Sequence, residues 1–242
     1  MTRRLRPPRG GRLLLFAGLL LFSACEQQAG TPPNHPSTPS EQTSAASAEV
    51  PLGRGFDFYV LSLSWSPSYC EAKGEDANRQ QCLDGRPYAF VVHGLWPQFE
   101  RGYPENCDGD REVDRETLRS LYDIMPSAGL IRHEWRKHGT CSGLSQEEYF
   151  RVLRQARERV VIPPEFRRLE DYQVVAPGAA EASFLKANPG LEPEDMAVTC
   201  DKRFLSEVRI CMTKQLEFRA CPEVDRRACR ADKVVMPPVR GG

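Results

Sequence analysis

The sequence predicts an α+β domain with a largely antiparallel sheet, stapled by disulfides. Three observations lead there. Strand-like and helix-like segments are mixed, with no regular βαβ alternation and no internal repeat. Eight of the nine cysteines fall between Cys70 and Cys229, an even set that suits four disulfides in an exported protein. The chain has 242 residues and is 40% hydrophobic, enough for one core of ordinary size.

The elements follow in order. Phe56 to Trp65 is rich in β-formers, with Ser alternating near its end, and predicts a buried strand. Tyr88 to Val92 predicts a second strand running straight into His93. Asp114, then Glu116, Leu118, Leu121 and Tyr122, predict a helix that ends before Pro126. Ser145 and Glu148 form a capping box. It opens a helix whose apolar stripe is Tyr149, Val152, Leu153 and Ala156, stopping before Pro163 and Pro164. Glu181 to Ala187 reads as a shorter helix. Met196 to Thr199, Phe204 to Met212 and Lys233 to Met236 read as strands.

The first fifty residues read differently. Residues 1–24 carry five arginines and no acid, then the apolar stretch Leu13 to Phe22, then Ser23 and Ala24. A basic start, a short apolar middle and a small-residue exit make a secretory signal, too short for a spanning helix. Phe22-Ser23-Ala24-Cys25 looks like a bacterial lipobox, which makes Cys25 the expected lipidation site. Residues 25–51 are rich in Pro, Ser, Thr, Ala and Gln, with Val50 the one branched aliphatic, and read as a flexible tether. Residues 52–242 are then the folded domain. Glu26 is not the Asp that holds lipoproteins at the inner membrane, so the expected location is periplasmic or cell-surface, on the outer membrane. The anchor would be the chain's sole membrane contact, and a monomer is expected.

Charge sharpens this. Lys+Arg and Asp+Glu number 33 each over the whole chain, which argues against a strongly basic nucleic-acid coat protein. Losing the five signal arginines leaves 28 basic against 33 acidic residues. An acidic chain that acts on a polyanion needs a local cationic pocket rather than overall charge.

The four histidines supply candidates for one. His35 lies in the tether. The other three fall in Val92-His93-Gly94-Leu95-Trp96-Pro97 and His133-Glu134-Trp135-Arg136-Lys137-His138-Gly139-Thr140-Cys141. On a helix with His133 at 0°, Lys137 falls at about 40°, Glu134 at about 100° and His138 at about 140°. These four share one broad face, and Gly139 supplies a stop. A solvated charged face beside a buried Trp would also account for this segment taken alone. Zinc helices of the His-Glu-x-x-His kind space their histidines four apart; the spacing here is five, and Lys137 would repel a cation. No metal or other cofactor is expected.

Two imidazoles can take and give protons near neutrality, and a lysine can neutralise a developing oxyanion. No Ser or Cys sits in a nucleophile elbow, so the nucleophile comes from the substrate or from water. RNA carries its own, the 2′-hydroxyl beside each phosphodiester, and Trp96 offers a face for a base. Other phosphodiester or ester chemistry fits the bare residues too. Gly94 and Pro97 are also readable as turn residues, and Trp65, Trp96 and Trp135 as core.

Together the two histidine segments closely resemble the active-site motifs of the ribonuclease T2 family. Trp65-Ser66-Pro67-Ser68-Tyr69-Cys70 is similar to the family's first strand end and first cysteine, and Cys200 to Cys229 to its C-terminal cysteine array. The resemblance covers about residues 52–236. It implies a central antiparallel sheet flanked by helices. It implies metal-free cleavage of single-stranded RNA through a 2′,3′-cyclic phosphate, then hydrolysis to a 3′-phosphate. His138 matches the general base and His93 the general acid of the first step, with roles exchanged in the second. Glu134 and Lys137 match groups that position and stabilise the transition state, His133 the phosphate-holding histidine, and Trp96 a wall of the first base site. Gln98 stands where an Asp is common, which leaves base preference open. The pairing implied is Cys70–Cys82, Cys107–Cys141, Cys200–Cys229 and Cys211–Cys221. The competing expectation is a non-catalytic RNA- or surface-binding lipoprotein on the same fold.

Overall fold

The computed structural model describes residues 49–83 and 87–239. Cys25, the expected signal segment and nearly all of the expected tether lie outside the described residues. Val50, near the end of the expected tether, packs against the core.

A four-stranded antiparallel sheet forms the centre, in the order β2-β1-β5-β4. Its strands are β1 (Phe58–Trp65), β2 (Phe90–Gln98), β4 (Met196–Cys200) and β5 (Leu205–Met212). A separate ribbon pairs β3 (Gln173–Val175) with β6 (Val234–Met236). The helices are α1 (Ser66–Lys73), α2 (Arg79–Cys82), α3 (Arg115–Leu121), α4 (Ala128–Lys137), α5 (Gln146–Arg159), α6 (Pro177–Ala187) and α7 (Pro222–Asp225). The α+β expectation holds, with an antiparallel sheet flanked by helices.

The strand period of two divides β1 between two environments. Tyr59, Leu61, Leu63 and Trp65 enter the main core with Leu95, Val208, Ile210 and Met212. Phe58 and Val60 face the other way, into a smaller cluster with Ala197, Cys211, Cys221 and Val224. That second face carries the cleft described below. Trp65 is core, as its sequence context allowed; its indole N–H donates to the Pro237 carbonyl at 3.0 Å. Each such fully buried side chain contributes roughly 1.5–3 kcal/mol relative to exposure.

Several boundaries shift, each for a local reason. β2 continues six residues past the expected end at Val92, through Gly94 and Pro97, so neither is a turn residue. It is the edge strand of its sheet, where a missing proline N–H costs no ladder bond. α6 starts at Pro177 rather than Glu181, with Pro at its first turn. The capping box forms as read: Ser145 and Glu148 exchange bonds at the start of α5. Asp114 caps α3 through the N–H groups of Glu116 and Thr117. The histidine-bearing helix ends earlier than expected. Lys137 is the last residue of α4, and His138 leaves the helix with φ −120° and ψ −45°. Gly139 opens a 3-10 turn, Gly139–Ser142, instead of closing an α-helix. Its hydrogen is needed because a Cβ there would lie 2.3 Å from the Trp135 ring.

Disulfides join Cys70–Cys82, Cys107–Cys141, Cys200–Cys229 and Cys211–Cys221. The second ties the loop before α3 to the 3-10 turn that follows His138. The same loop is held by Asn106 N–H donating to the Lys137 carbonyl at 2.8 Å.

Candidate active site

His93 owes its direction to an irregularity. In the β1–β2 ladder Ser62 faces Gly94 and Leu63 faces Val92, so His93 is the extra residue of a β-bulge. Bulges re-aim side chains, and this one turns the imidazole onto the second face of the sheet. The strands beyond supply its neighbours. Ser62 faces Gly94 on one side and Arg209 on the other; Ser64 faces Glu207. Glu207 and Arg209 therefore share a face of β5 with Trp96 of β2.

Helix α4 brings the second set. Ser127 caps its start through Leu130 N–H, and Ile131 and Trp135 bury one side of the helix. Trp135 is core, as expected, with its indole N–H on the Asp110 carbonyl at 2.7 Å. The rotation from Trp135 places Glu134 against β2. Its Oε2 accepts the Trp96 indole N–H at 2.7 Å, and its Oε1 lies 3.6 Å from His93 Nε2. Tyr149 of α5 braces the strand from the core side, donating to the Leu95 carbonyl at 2.8 Å.

The result is a cleft of about 330 Å³. His93, His133, Glu134, Lys137, His138, Trp96 and Gln98 all line it, so the two histidine segments meet in space. The shared face is not purely helical, because His138 reaches the cleft as the residue after α4. Trp96 sits at its centre. The ring lies 5.4 Å from the His93 ring and 5.5 Å from that of His138, and the Arg209 guanidinium stands 5.1 Å from its centroid. Gln98 turns back on the backbone, donating to the Pro97 carbonyl. Lys137 pairs with the exposed Glu105 at 3.5 Å. His133 is the most exposed of the three imidazoles. Among the described residues, no group of three or more His, Cys, Asp or Glu is placed to hold a metal ion.

The environments push the imidazoles apart. Burial drives His138 down to about 3, helped by the charges of Lys137, His133 and His93. Its Nδ1 is buried without a hydrogen-bond partner. His133 is also lowered, by burial and by Lys137. His93 moves the other way. Burial would lower it, but the hydrogen bond and charge of Glu207, with the charge of Glu134, outweigh burial and raise it. Glu134 is lifted to about 7 by burial. Glu207 is buried as well, yet contacts with His93 and Arg209 hold it down at about 2. The two imidazoles are thus shifted in opposite directions, the arrangement an acid–base pair needs.

The sequence reading missed Glu207, Arg209 and Tyr103, Glu223 of α7 and Arg227 just after it, all of which line or support the cleft. Glu207 and Arg209 alternate with Val208 and Ile210, a pattern indistinguishable in sequence from a solvated strand face.

Comparison with known proteins agrees with this geometry. The model of the Ribonuclease T2 family matches residues 56–221. A ribonuclease of Aeromonas hydrophila is 38% identical over 177 residues, covering 72% of this chain and 79% of that one. Ribonuclease DdI of Dictyostelium discoideum is 26% identical over 200 residues, 72% and 82% of the two chains. Among solved structures, RNase NT in complex with 5′-AMP superposes with a TM-score of 0.56 at 27% identity, covering 76% of this chain and all of that one. An RNase-related protein from Calystegia sepium has the same fold, with a TM-score of 0.61 at 22% identity over 77% of this chain and all of its own. With matching sequence, fold and cleft, the chain belongs to the ribonuclease T2 family.

Proposed function

We propose that this T2-type endoribonuclease cleaves single-stranded RNA without a metal, using His138 as the general base and His93 as the general acid. The observation that carries the reading is that His93 and His138 meet in one cleft beside Trp96, in surroundings that push the one up and the other down. His138 takes the proton of the 2′-hydroxyl. O2′ attacks phosphorus, a 2′,3′-cyclic phosphate forms, and the P–O5′ bond breaks. His93 donates its proton to the departing O5′. In the second step the roles exchange: His93 deprotonates water, which opens the ring to a 3′-phosphate, and His138 returns the proton to O2′.

The remaining residues serve charge and position. Lys137 leaves its exposed partner Glu105 for the phosphoryl oxygens, which gather charge in the transition state. Glu134, tied to Trp96 and close to His93, positions the phosphoryl group between the two imidazoles. His133 holds the phosphate from the exposed side. Trp96 and Gln98 form walls of the base site, and the nucleotide seen in RNase NT supports such a pocket. With both imidazoles in place, the non-catalytic reading is not favoured.

Four disulfides and the ribonuclease relatives are consistent with export. We further propose that residues 1–24 are a signal, that Cys25 is lipidated, that 25–51 tether a monomeric domain, and that the anchor lies in the outer membrane. Mass spectrometry of the mature chain tests the anchor: an unmodified Cys25 contradicts it.

The nucleophile is tested with an RNA oligonucleotide carrying one 2′-deoxy residue. Cleavage is expected everywhere except the phosphodiester after that residue. Undiminished cleavage there would exclude the 2′-hydroxyl as nucleophile.

A further inference from the structure

Glu207 lies two strands away from His93 and makes no part of either histidine motif. Its Oε1 nevertheless contacts His93 Nδ1 directly. Its Oε2 accepts two bonds from Arg209, at 2.9 Å from Nε and 2.7 Å from Nη2. Arg209 is itself held by the Trp96 ring face. The carboxylate is buried, only 8% exposed, and its position is fixed by pairing with Ser64 on one side and Thr199 on the other. A buried carboxylate survives only when its oxygens are satisfied by donors, and here the donors are one guanidinium and one imidazole.

We infer that Glu207, fixed by Arg209, is the positioning residue of His93. It accepts the Nδ1–H, so that Nε2 is the nitrogen left to face the cleft and the reacting oxygen. An imidazole has two nitrogens, and the hydrogen bond made by one decides the proton of the other. Without Glu207 the bulge would leave His93 free to rotate about χ1 and to exchange tautomers. The charge also matters. His93 is faced by Glu207 and Arg209 from β5, by Glu134 and the more distant His133 from α4, and by His138 beyond it. Arg209 is spent on Glu207, so the carboxylates prevail and the acid keeps its proton. The inference rests on the assignment of His93 as the acid of the proposed reaction.

The experiment compares Glu207→Gln, Glu207→Ala and His93→Ala with the wild-type full chain on a dinucleotide substrate, across pH. Gln keeps an acceptor for Nδ1–H and loses the charge. We expect E207Q to show near-wild-type kcat at acidic pH, with the alkaline limb moved to lower pH. We expect E207A to lose kcat by ~10–100-fold at every pH, with KM little changed, as supporting partners of imidazoles do. E207A should add nothing in the H93A background. Folded variants whose alkaline limb stays in place would overturn the inference, as would losses that only track the folded fraction. If neither variant folds, ¹⁵N NMR of histidine-labelled wild type decides: neutral His93 should carry its proton on Nδ1, and a proton on Nε2 overturns the inference. An H93A variant with full activity would instead defeat the acid assignment, whatever the tautomer.

Discussion

Gly94 and Glu134 stand so close that no side chain fits between them. A Cβ on Gly94 would lie 2.0 Å from Glu134 Oε2 and 2.4 Å from the Trp96 indole nitrogen. The glycine of the first motif thus exists for the carboxylate of the second. We predict that Gly94→Ala displaces Glu134 by an ångström or more and lowers kcat by roughly 100-fold, the cost of misplacement on that scale. Single-turnover kinetics with a circular dichroism control checks this; a folded variant of normal rate contradicts it.

Trp96 offers a milder probe of the same triangle. Trp96→Phe keeps a ring beside His93 and His138 but removes the 2.7 Å hydrogen bond to a buried carboxylate. Leaving a buried charged acceptor short of a donor costs about 1–3 kcal/mol. Glu134 should shift further above about 7, its present position, because that bond now opposes the effect of burial. Infrared titration of the carboxyl band measures the shift.

The pH profile follows from signs. The proposed base must be neutral, so activity is expected above the His138 pKa, near 3, and is lost below it. The acid must be protonated, so activity is lost as pH rises through the His93 pKa, which is raised from the usual 6.5. A bell in kcat/KM is expected, with its maximum on the acidic side of neutrality. Lys137→Met removes a charge that lowers His138, so its acidic limb should move to higher pH.

The disulfide Cys107–Cys141 closes a span of 34 residues and ends in the turn that follows His138. Replacing both cysteines by serine should cost ~2–5 kcal/mol and lower Tm by roughly 10 °C. Because the turn adjoins His138, the proposed base, kcat should also fall at temperatures well below the melting range. Calorimetry and kinetics at 25 °C separate the two effects.

Much of this was legible in the sequence because rare residues cluster. His93, Glu134, Lys137 and His138 lie in two short segments, and the strand and helix periods around them are regular. Three features were not legible. The bulge at His93 depends on the register of β1 against β2, which no local pattern encodes. His138 leaves the helix just before Gly139 passes the Trp135 ring, a contact between backbone and side chain that no sequence period shows. Glu207 reaches His93 across an intervening strand, and its alternation with Val208 is that of any half-exposed strand. Pro97 was readable either as a turn residue or as part of the first motif, and an edge strand tolerates it.

The central claim is metal-free transphosphorylation by two imidazoles of opposed charge. The measurement that tests it most directly is end-group analysis of a limit-time RNA digest in EDTA. The account predicts 2′,3′-cyclic phosphate ends early, 3′-phosphate ends later and 5′-hydroxyl ends throughout, at a rate unchanged by the chelator. Products with 5′-phosphate ends, or activity abolished by EDTA, would contradict it.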